Sequence, residues 1–355
     1  MKHSRSLASQ KRVAAEAGVS QSTVSLVLAG HKVNSEETAR RVMAAAERLG
    51  YRPNLLVRGI QTGKTGTVGI LMHPFQFYWG EVLCGIHDIL TEKNCLPITL
   101  WTAHWGTTPR NRFGPGEALG QIHQLVDRRV DGVILWPPFA QLYQEHLHEF
   151  SSRNLPVVTI DHALPEQFNA DYVGSDEASG GRMVAEHLYG LGHRRMGHLA
   201  APGGTTWARD RRKAFEEAIA KMKGASLTVL EAPPGMPKLG IEQARQMLSG
   251  PERPTAIFAA SDLYAKVVYH AAMEKGLRIP EDLSVVGFSD DDFAEEMMPP
   301  LTTVHQPAYE IGKRAAEIVL ARSGGKIKGK GRHEELPVEL VVRKSTGQIR
   351  NPKPE

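Results

Sequence analysis

The stretch that decides the fold is Val13–Leu28, VAAEAGVSQSTVSLVL. Val13, Ala14, Ala17, Val24, Val27 and Leu28 recur at helical spacing, and the pattern breaks once, at Gly18-Val19-Ser20. Glycine suits the left-handed position that ends one helix, and serine is a good N-cap for the next. A turn of about three residues forces the two helices to cross steeply, which is helix-turn-helix geometry. The second helix opens with Gln21, Ser22 and Thr23, side chains able to bond base edges or phosphates. Taken alone, the stretch also fits an ordinary helical hairpin.

Charge separates these readings. Residues 1–64 hold eleven Lys and Arg against four Asp and Glu, a net of +7; the rest holds 32 basic and 35 acidic residues, a net of −3. A basic head on a mildly acidic body suits a phosphate-backbone partner. Ser35 can cap a third helix, Glu36 and Glu37 favour its positive end, and Val42, Ala45, Ala46 and Leu49 give it an apolar stripe that Gly50 ends. The 355 residues are enough for two or three domains, and 23% charged with 41% hydrophobic residues is a globular composition. No apolar run reaches membrane-spanning length, and the first residues, MKHSRSLASQ, lack the apolar segment of an export signal. Cys84 and Cys95 have neither metal-ligand spacing nor a disulfide framework, so the expected compartment is the cytoplasm.

From residue 67 onward, apolar strands alternate with helices: Thr67–Met72, Val130–Trp136, Pro156–Asp161, Met196–Ala201, Ala256–Ala260 and Leu283–Phe288. This predicts parallel sheets covered on both faces, in two doubly wound lobes with ligand at the carboxyl ends of the strands. Between head and body, Pro53 stops the third helix, Asn54 can cap a short one, and Gly63 and Gly66 mark a linker.

The order helix-turn-helix, third helix, Tyr51-Arg52-Pro53-Asn54, short helix, Thr62-Gly-Lys-Thr-Gly-Thr-Val-Gly-Ile-Leu71 closely resembles the LacI/GalR family of bacterial transcription regulators, over residues 10 to 346. The resemblance implies an all-α helix-turn-helix headpiece (1–53), a hinge helix and linker (54–66), and a two-lobed, periplasmic-binding-protein-like body for effector binding and dimerisation (67–346). Within the body, the N-lobe is expected at 67–172 and 304–335 and the C-lobe at 173–303 and 336–346, with a tail at 347–355. The residues expected to touch DNA are Ser20, Gln21, Ser22, Thr23, Ser25, Leu26, His31, Lys32, Tyr51, Asn54, Arg58 and Ile60. Ile60 matches the family's minor-groove leucine. Gly59 weakens the hinge helix, which is expected to fold on binding DNA. Leu26 stands where the family usually has a guanine-reading arginine, so it either touches a thymine methyl or belongs to a core or interface.

The effector set implied by the resemblance is His73, Tyr78, Trp79, Trp136, Asp161, Arg211, Ser261, Asp262, Ser289 and Asp290. Arg211 is the second arginine of a stretch resembling the family's RxRxxGF. Ser261 and Ser289 replace the family's usual Asn and Asp, which alters the hydrogen-bond set for a sugar. Trp79 and Trp136 fit core packing nearly as well as ligand stacking. Asp171–Asp176, Pro299–His305 and Leu336–Arg343 resemble the three crossovers between lobes, and the basic segment Gly324–Arg332 reads as a solvated turn. His193 and His198 are expected to be structural.

No Walker A, HExxH or G-x-S-x-G pattern is present, so no catalytic, metal or cofactor site is expected. The expected protein is a DNA-binding repressor controlled by a carbohydrate-like effector. It would act as a homodimer on a pseudo-palindromic duplex operator, with no membrane partner. The alternatives are purine or nucleoside corepression, or a solute-binding protein of the same body fold.

Overall fold

The computed structural model describes residues 9–28, 35–52, 59, 63–72, 77–101, 122–136, 144–233 and 237–349. The chain forms two compact units, Met1–Thr65 and Gly66–Glu355.

In the first unit, α1 (Gln10–Ala17), α2 (Gln21–Leu28) and α3 (Glu36–Arg48) enclose one small core. Val13, Val24, Val42 and Ala45 are its fully buried centre, with Val19, Leu28, Leu49 and Tyr51 packed around them. Ser9 and Ser35 cap α1 and α3, accepting from the amides of Arg12 and Thr38. The hinge helix, apart from the helical backbone of Gly59, lies outside the described residues, as do His31, Lys32, Asn54, Arg58 and Ile60.

The second unit contains two parallel sheets. The N-lobe sheet consists of β1 (Thr67–Met72), β2 (Leu96–Trp101), β3 (Val133–Leu135), β4 (Val157–Ile160), β5 (Asp171–Ser175) and β11 (His333–Leu336), in the order β11-β5-β4-β3-β1-β2. Every neighbouring pair in it is parallel. Helices α4 (Phe77–Glu92) and α11 (Ala308–Ser323) cover one face, and α5 (Gln144–Ser152) with a helical run over 122–127 contributes to the core on the other.

The C-lobe sheet is β6 (Arg195–Ala200), β7 (Ser226–Glu231), β8 (Ala256–Ala259) and β9 (Ser284–Val286), in the order β7-β6-β8-β9 and again parallel. Helices α6 (Glu177–Gly190), α7 (Thr206–Ala220), α8 (Ile241–Met247) and α9 (Asp262–Glu274) pack on it, and the short α10 is Phe293–Glu296. An antiparallel pair, β10 (Thr303–His305) with β12 (Glu339–Val341), joins through bridges from Val286 to Thr302 and Ser289 to His305.

Several expected boundaries move. Residues 173–175 continue β5 in the N-lobe, because they pair with β4 and β11; the first crossover is at Asp176, whose carboxylate caps α6 by accepting from Ser179 N–H at 2.8 Å. Residues 304 and 305 belong to the C-lobe, held by β12 and Ser289, so the second crossover falls at Gln306. Leu336 still pairs in the N-lobe sheet, so the third crossover follows it. Residues 347–349 are not tail: Gly347 N–H donates to Ser284 Oγ, and Ile349 N–H to the Leu191 carbonyl. Edge strands β2 and β7 were not foreseen, because half-exposed strands mix polar residues into the apolar run.

Candidate DNA-reading and effector sites

The reading helix is set by its turn. Gly18 has φ 64° and ψ 40°, and the amides of Gly18 and Val19 satisfy the carbonyls at the end of α1. Ser20 Oγ then accepts from Thr23 N–H at 3.1 Å and lies within 2.8 Å of the Ser22 and Thr23 hydroxyls. Val24 and Val27 face the core, which turns Gln21, Ser22 and Leu26 outward. Leu26 is 47% exposed and so is not a core leucine. Ser25 and Thr23 are half-buried beside this face, whereas Tyr51 packs on the core.

In the second unit, the residues that follow the strands meet between the lobes. Asp161 follows β4 with φ 57°, is buried, and has its carboxyl pushed up by burial to about 7, against the lowering pull of Tyr78 and Arg211. Tyr78, in the first turn of α4, lies beside it, and its own pKa rises for the same reason. Tyr78 Oη and Asp161 Oδ1 interact with each other without completing a well-formed hydrogen bond, and Thr205 Oγ1 after β6 has none. Buried polar atoms are normally paired, so three such atoms between the lobes mark a place for a ligand or ordered water.

Beside this cluster the lobes touch directly. His162 Nδ1 accepts from Thr206 N–H at 3.0 Å and lies 3.1 Å from Thr206 Oγ1, which in turn accepts from Ala163 N–H at 3.2 Å. A ring nitrogen that accepts a backbone N–H is unprotonated. Burial, with a further push from Arg209, holds the His162 pKa below its ordinary value. On the other side of the cleft, the Phe77 and Phe293 rings meet edge to face at 5.3 Å, and the Tyr78 amide donates to the Asp291 carboxylate. Burial raises Asp291 to about 7.

Arg211 is present but fully engaged. It is 3% exposed, pairs with buried Glu177 through Nε at 2.7 Å and a second nitrogen at 2.6 Å, donates to the Ala260 carbonyl, and stacks on Phe288 at 3.3 Å. Gln306, at the second crossover, bonds Ser175 Oγ at 2.9 Å and Glu177 at 3.3 Å. Arg211 therefore ties α7 to the crossovers and does not present open donors to the cleft.

Asp262 also departs from its expected role. It is wholly buried, accepts from Thr303 Oγ1 at 2.6 Å and Asp291 N–H at 2.9 Å, and so cross-links three segments of the C-lobe. Trp79 and Trp136 sit in the N-lobe core with ring centroids 5.4 Å apart. Ser261 is half-buried at the N-cap of α9. Ser289 and Asp290 have φ of 126° and 61°, a strained pair held by Val304, Arg343 (2.7 Å) and His305 (3.1 Å). Asp290 is thus wired into the second crossover. His73 lies outside the described residues.

Sequence reasoning missed His162, Thr206, Glu177 and Gln306. His162 obeys the same end-of-strand rule as Asp161; Glu177 and Gln306 carry no sequence signal, because their partners are far along the chain. His193 and His198 are structural: His193 is bonded to Thr255, Ser284 and Gly347, and His198 bonds the Phe258 carbonyl at 2.9 Å, with burial lowering its pKa to about 4. Among the described residues no helix is long and apolar enough to cross a membrane, and no group of three or more His, Cys, Asp or Glu could hold a metal.

Comparison with known proteins agrees with this geometry. Residues 11–54 match the lacI family of bacterial regulatory proteins, and residues 185–346 match a periplasmic binding protein-like domain. The HTH-type transcriptional repressor PurR of Haemophilus influenzae (strain PittEE) is 30% identical over 354 residues, covering 97% of this chain and all of that protein. The ribose operon repressor of Escherichia coli K12 is 31% identical over 332 residues, covering 89% and 93%. Among solved structures, the lac repressor dimer bound to operator and an anti-inducer aligns with a TM-score of 0.81 at 27% identity, over 96% of this chain and all of that one. A CelR–cellobiose complex aligns at 0.69 and 26%, over 95% and 99%. The chain belongs to the lacI family of bacterial regulatory proteins and is a DNA-binding transcription regulator, not an enzyme.

Proposed function

We propose that the protein is a cytoplasmic, homodimeric repressor whose operator affinity is set by a small polyhydroxylated effector held between the lobes. One observation carries the effector reading: buried between the lobes, Tyr78 Oη and Asp161 Oδ1 have only each other, short of a well-formed hydrogen bond, and Thr205 Oγ1 has no partner. A buried carboxylate beside two hydroxyls suits a ligand rich in O–H or N–H donors. An anionic ligand is disfavoured, because the guanidinium of Arg211 is committed to Glu177 and the Ala260 carbonyl. Effector contact is assigned to Tyr78, Asp161 and Thr205, with Ser261 and Ser289 at the margin and no cofactor besides the effector. DNA contact is assigned to Ser20, Gln21, Ser22, Ser25 and Leu26 on the outer side of α2, two copies of which read a pseudo-palindromic site.

A purine or nucleoside corepressor is the second reading. It is favoured by the end-to-end similarity to repressors named PurR. A thermal-shift screen of sugars, polyols, sugar phosphates, purines and nucleosides separates the two. A ligand at 100 times its Kd adds about 2.7 kcal/mol of stability. A neutral sugar or polyol that also releases operator supports the first reading; a purine that tightens operator binding replaces it. A hit confined to sugar phosphates overturns the assignment of Arg211.

A further inference from the structure

All six strands of the N-lobe sheet are parallel, so the chain enters every one of them at the same edge. The segments at that edge, residues 63–66, 93–95, 128–132, 153–156, 169–170 and 324–332, hold nine Lys or Arg and one acid, Asp131. The Asp131 carboxylate is engaged by the Gly66 amide at 2.8 Å. The body as a whole is net acidic; at this edge Lys93, Arg153 and Arg332 pair with Glu92, Glu149 and Glu334 just beyond these segments, and the positive excess is centred on the exposed Lys326, Lys328 and Lys330.

Helix C-termini favour cations, and these segments follow helices. The matching edge of the C-lobe sheet, at the opposite pole because the lobes meet at their strand carboxyl ends, shows the size of that effect. Its segments 191–194, 221–225, 248–255 and 275–283 hold six basic and three acidic residues. The N-lobe excess comes mainly from Gly324–Arg332, where Lys328, Lys330 and Arg332 lie beyond the reach of the helix dipole.

That segment is not a loose turn. Arg322 donates to the carbonyls of Gly329 and Lys330 at 2.8 and 2.7 Å while pairing with buried Asp171. Gly331 N–H bonds Asn169 and Arg332 N–H bonds Asp171, both at 2.8 Å. The backbone is pinned while Lys326, Lys328, Lys330 and Arg332 stand exposed. Rigid presentation spares the ordering entropy that a flexible basic loop would lose on binding.

The polypeptide that carries the helix-turn-helix enters the body at this same edge, through Gly66 into β1. From β1 to β11 is four strand spacings, about 19 Å. Duplex DNA carries a charge every ~1.7 Å. We propose that the strand-entry edge of the N-lobe, centred on Lys326, Lys328 and Lys330, is a second DNA contact that grips the phosphate backbone of the duplex read by α2. This rests on the DNA-binding assignment.

The test is operator binding by the full-length protein, titrated with salt. The variant Lys326→Gln/Lys328→Gln/Lys330→Gln should flatten the slope of log K against log[salt] by about 2–3 for each subunit, and so by about 5 for the homodimer, at about 0.9 per lost phosphate contact. Between 50 and 200 mM salt, a wild-type homodimer should then lose roughly 1000-fold more affinity than the variant loses. Operator and unrelated duplex should be affected alike, because phosphates carry no sequence. The matched C-lobe variant Lys221→Gln/Lys223→Gln/Lys275→Gln should keep the wild-type slope. An unchanged slope in the first variant, or an equal change in both, overturns the proposal. Failure of wild type to bind duplex at all would instead overturn the DNA-binding assignment.

Discussion

Arg211 shows how a side chain can occupy an expected place and do different work. Its charge is neutralised by Glu177 in a site where both side chains are 4% exposed. Removing one partner of such a buried pair strands the other charge and costs about 3–5 kcal/mol. Arg211→Ala should therefore lower the urea midpoint, with loss of effector response as a consequence of weakened structure. Adding Glu177→Gln should recover part of the stability; no recovery in the double variant would place the role of Arg211 elsewhere. Asp161 gives the contrasting case. Its folded pKa, about 7, lies above the ordinary carboxylate value because burial penalises the anion. A raised folded pKa means stability that is full at acid pH and lost as pH rises through 7. Asp161→Asn, which cannot ionise, should melt relatively higher than wild type as pH goes from 5.5 to 8.5, by about 2–4 °C for each kcal/mol relieved. Effector binding should weaken in the same variant, since the buried acceptor is changed.

At the scale of elements, the N-lobe depends on one helix pair. Gly85 of α4 and Gly312 of α11 let two backbones meet: a Cβ on Gly85 would stand 2.0 Å from the Tyr309 carbonyl oxygen, and one on Gly312 would stand 1.9 Å from that of Val82. Backbone cannot yield as a flexible side chain can, so Gly312→Ala should cost at least the about 1–3 kcal/mol typical of overpacking. An unchanged melting temperature would mean that the two helices slide apart freely. Neither glycine could be found from the sequence, where they look like any helix glycine. What could be read were elements whose burial is written locally: the headpiece helices, with caps Ser9 and Ser35 and the Val13–Val24–Val42 core, and the central strands β1, β4, β6 and β8. The edge strands β2 and β7 could not, because sheet edges lack the continuous apolar run. For the site, Tyr78 and Asp161 followed from the end-of-strand rule. The engagement of Arg211 and Asp262 did not, since it depends on Glu177, Thr303 and Asp291 reaching them from other elements.

Across the whole effector-binding body, the decisive quantity is the free energy that holds the lobes together without ligand. His162, Ala163 and Thr206 close one side of the cleft with three hydrogen bonds, and Tyr78, Asp291, Phe77 and Phe293 close the other. Each hydrogen bond is worth about 0.5–1.5 kcal/mol net, so the His162 side alone is comparable with the about 1–3 kcal/mol that usually couples an effector to a distant site. His162→Phe removes two of the three bonds while keeping a ring of similar shape. The closed state should be lost by about 1–2 kcal/mol, and an effector that requires closure should bind about 5–30-fold more weakly. The Ala163 amide, which keeps its Thr206 Oγ1 acceptor, should exchange faster in the free variant than in free wild type and recover when effector is saturating. Linkage then fixes what happens at the operator. If closure opposes DNA binding, as for an inducer, the variant without effector should hold operator more tightly than wild type; if closure favours it, as for a corepressor, more weakly. Equal operator affinity together with unchanged effector affinity would show that the His162 contact carries no coupling, leaving the Phe77–Phe293 side to set the balance.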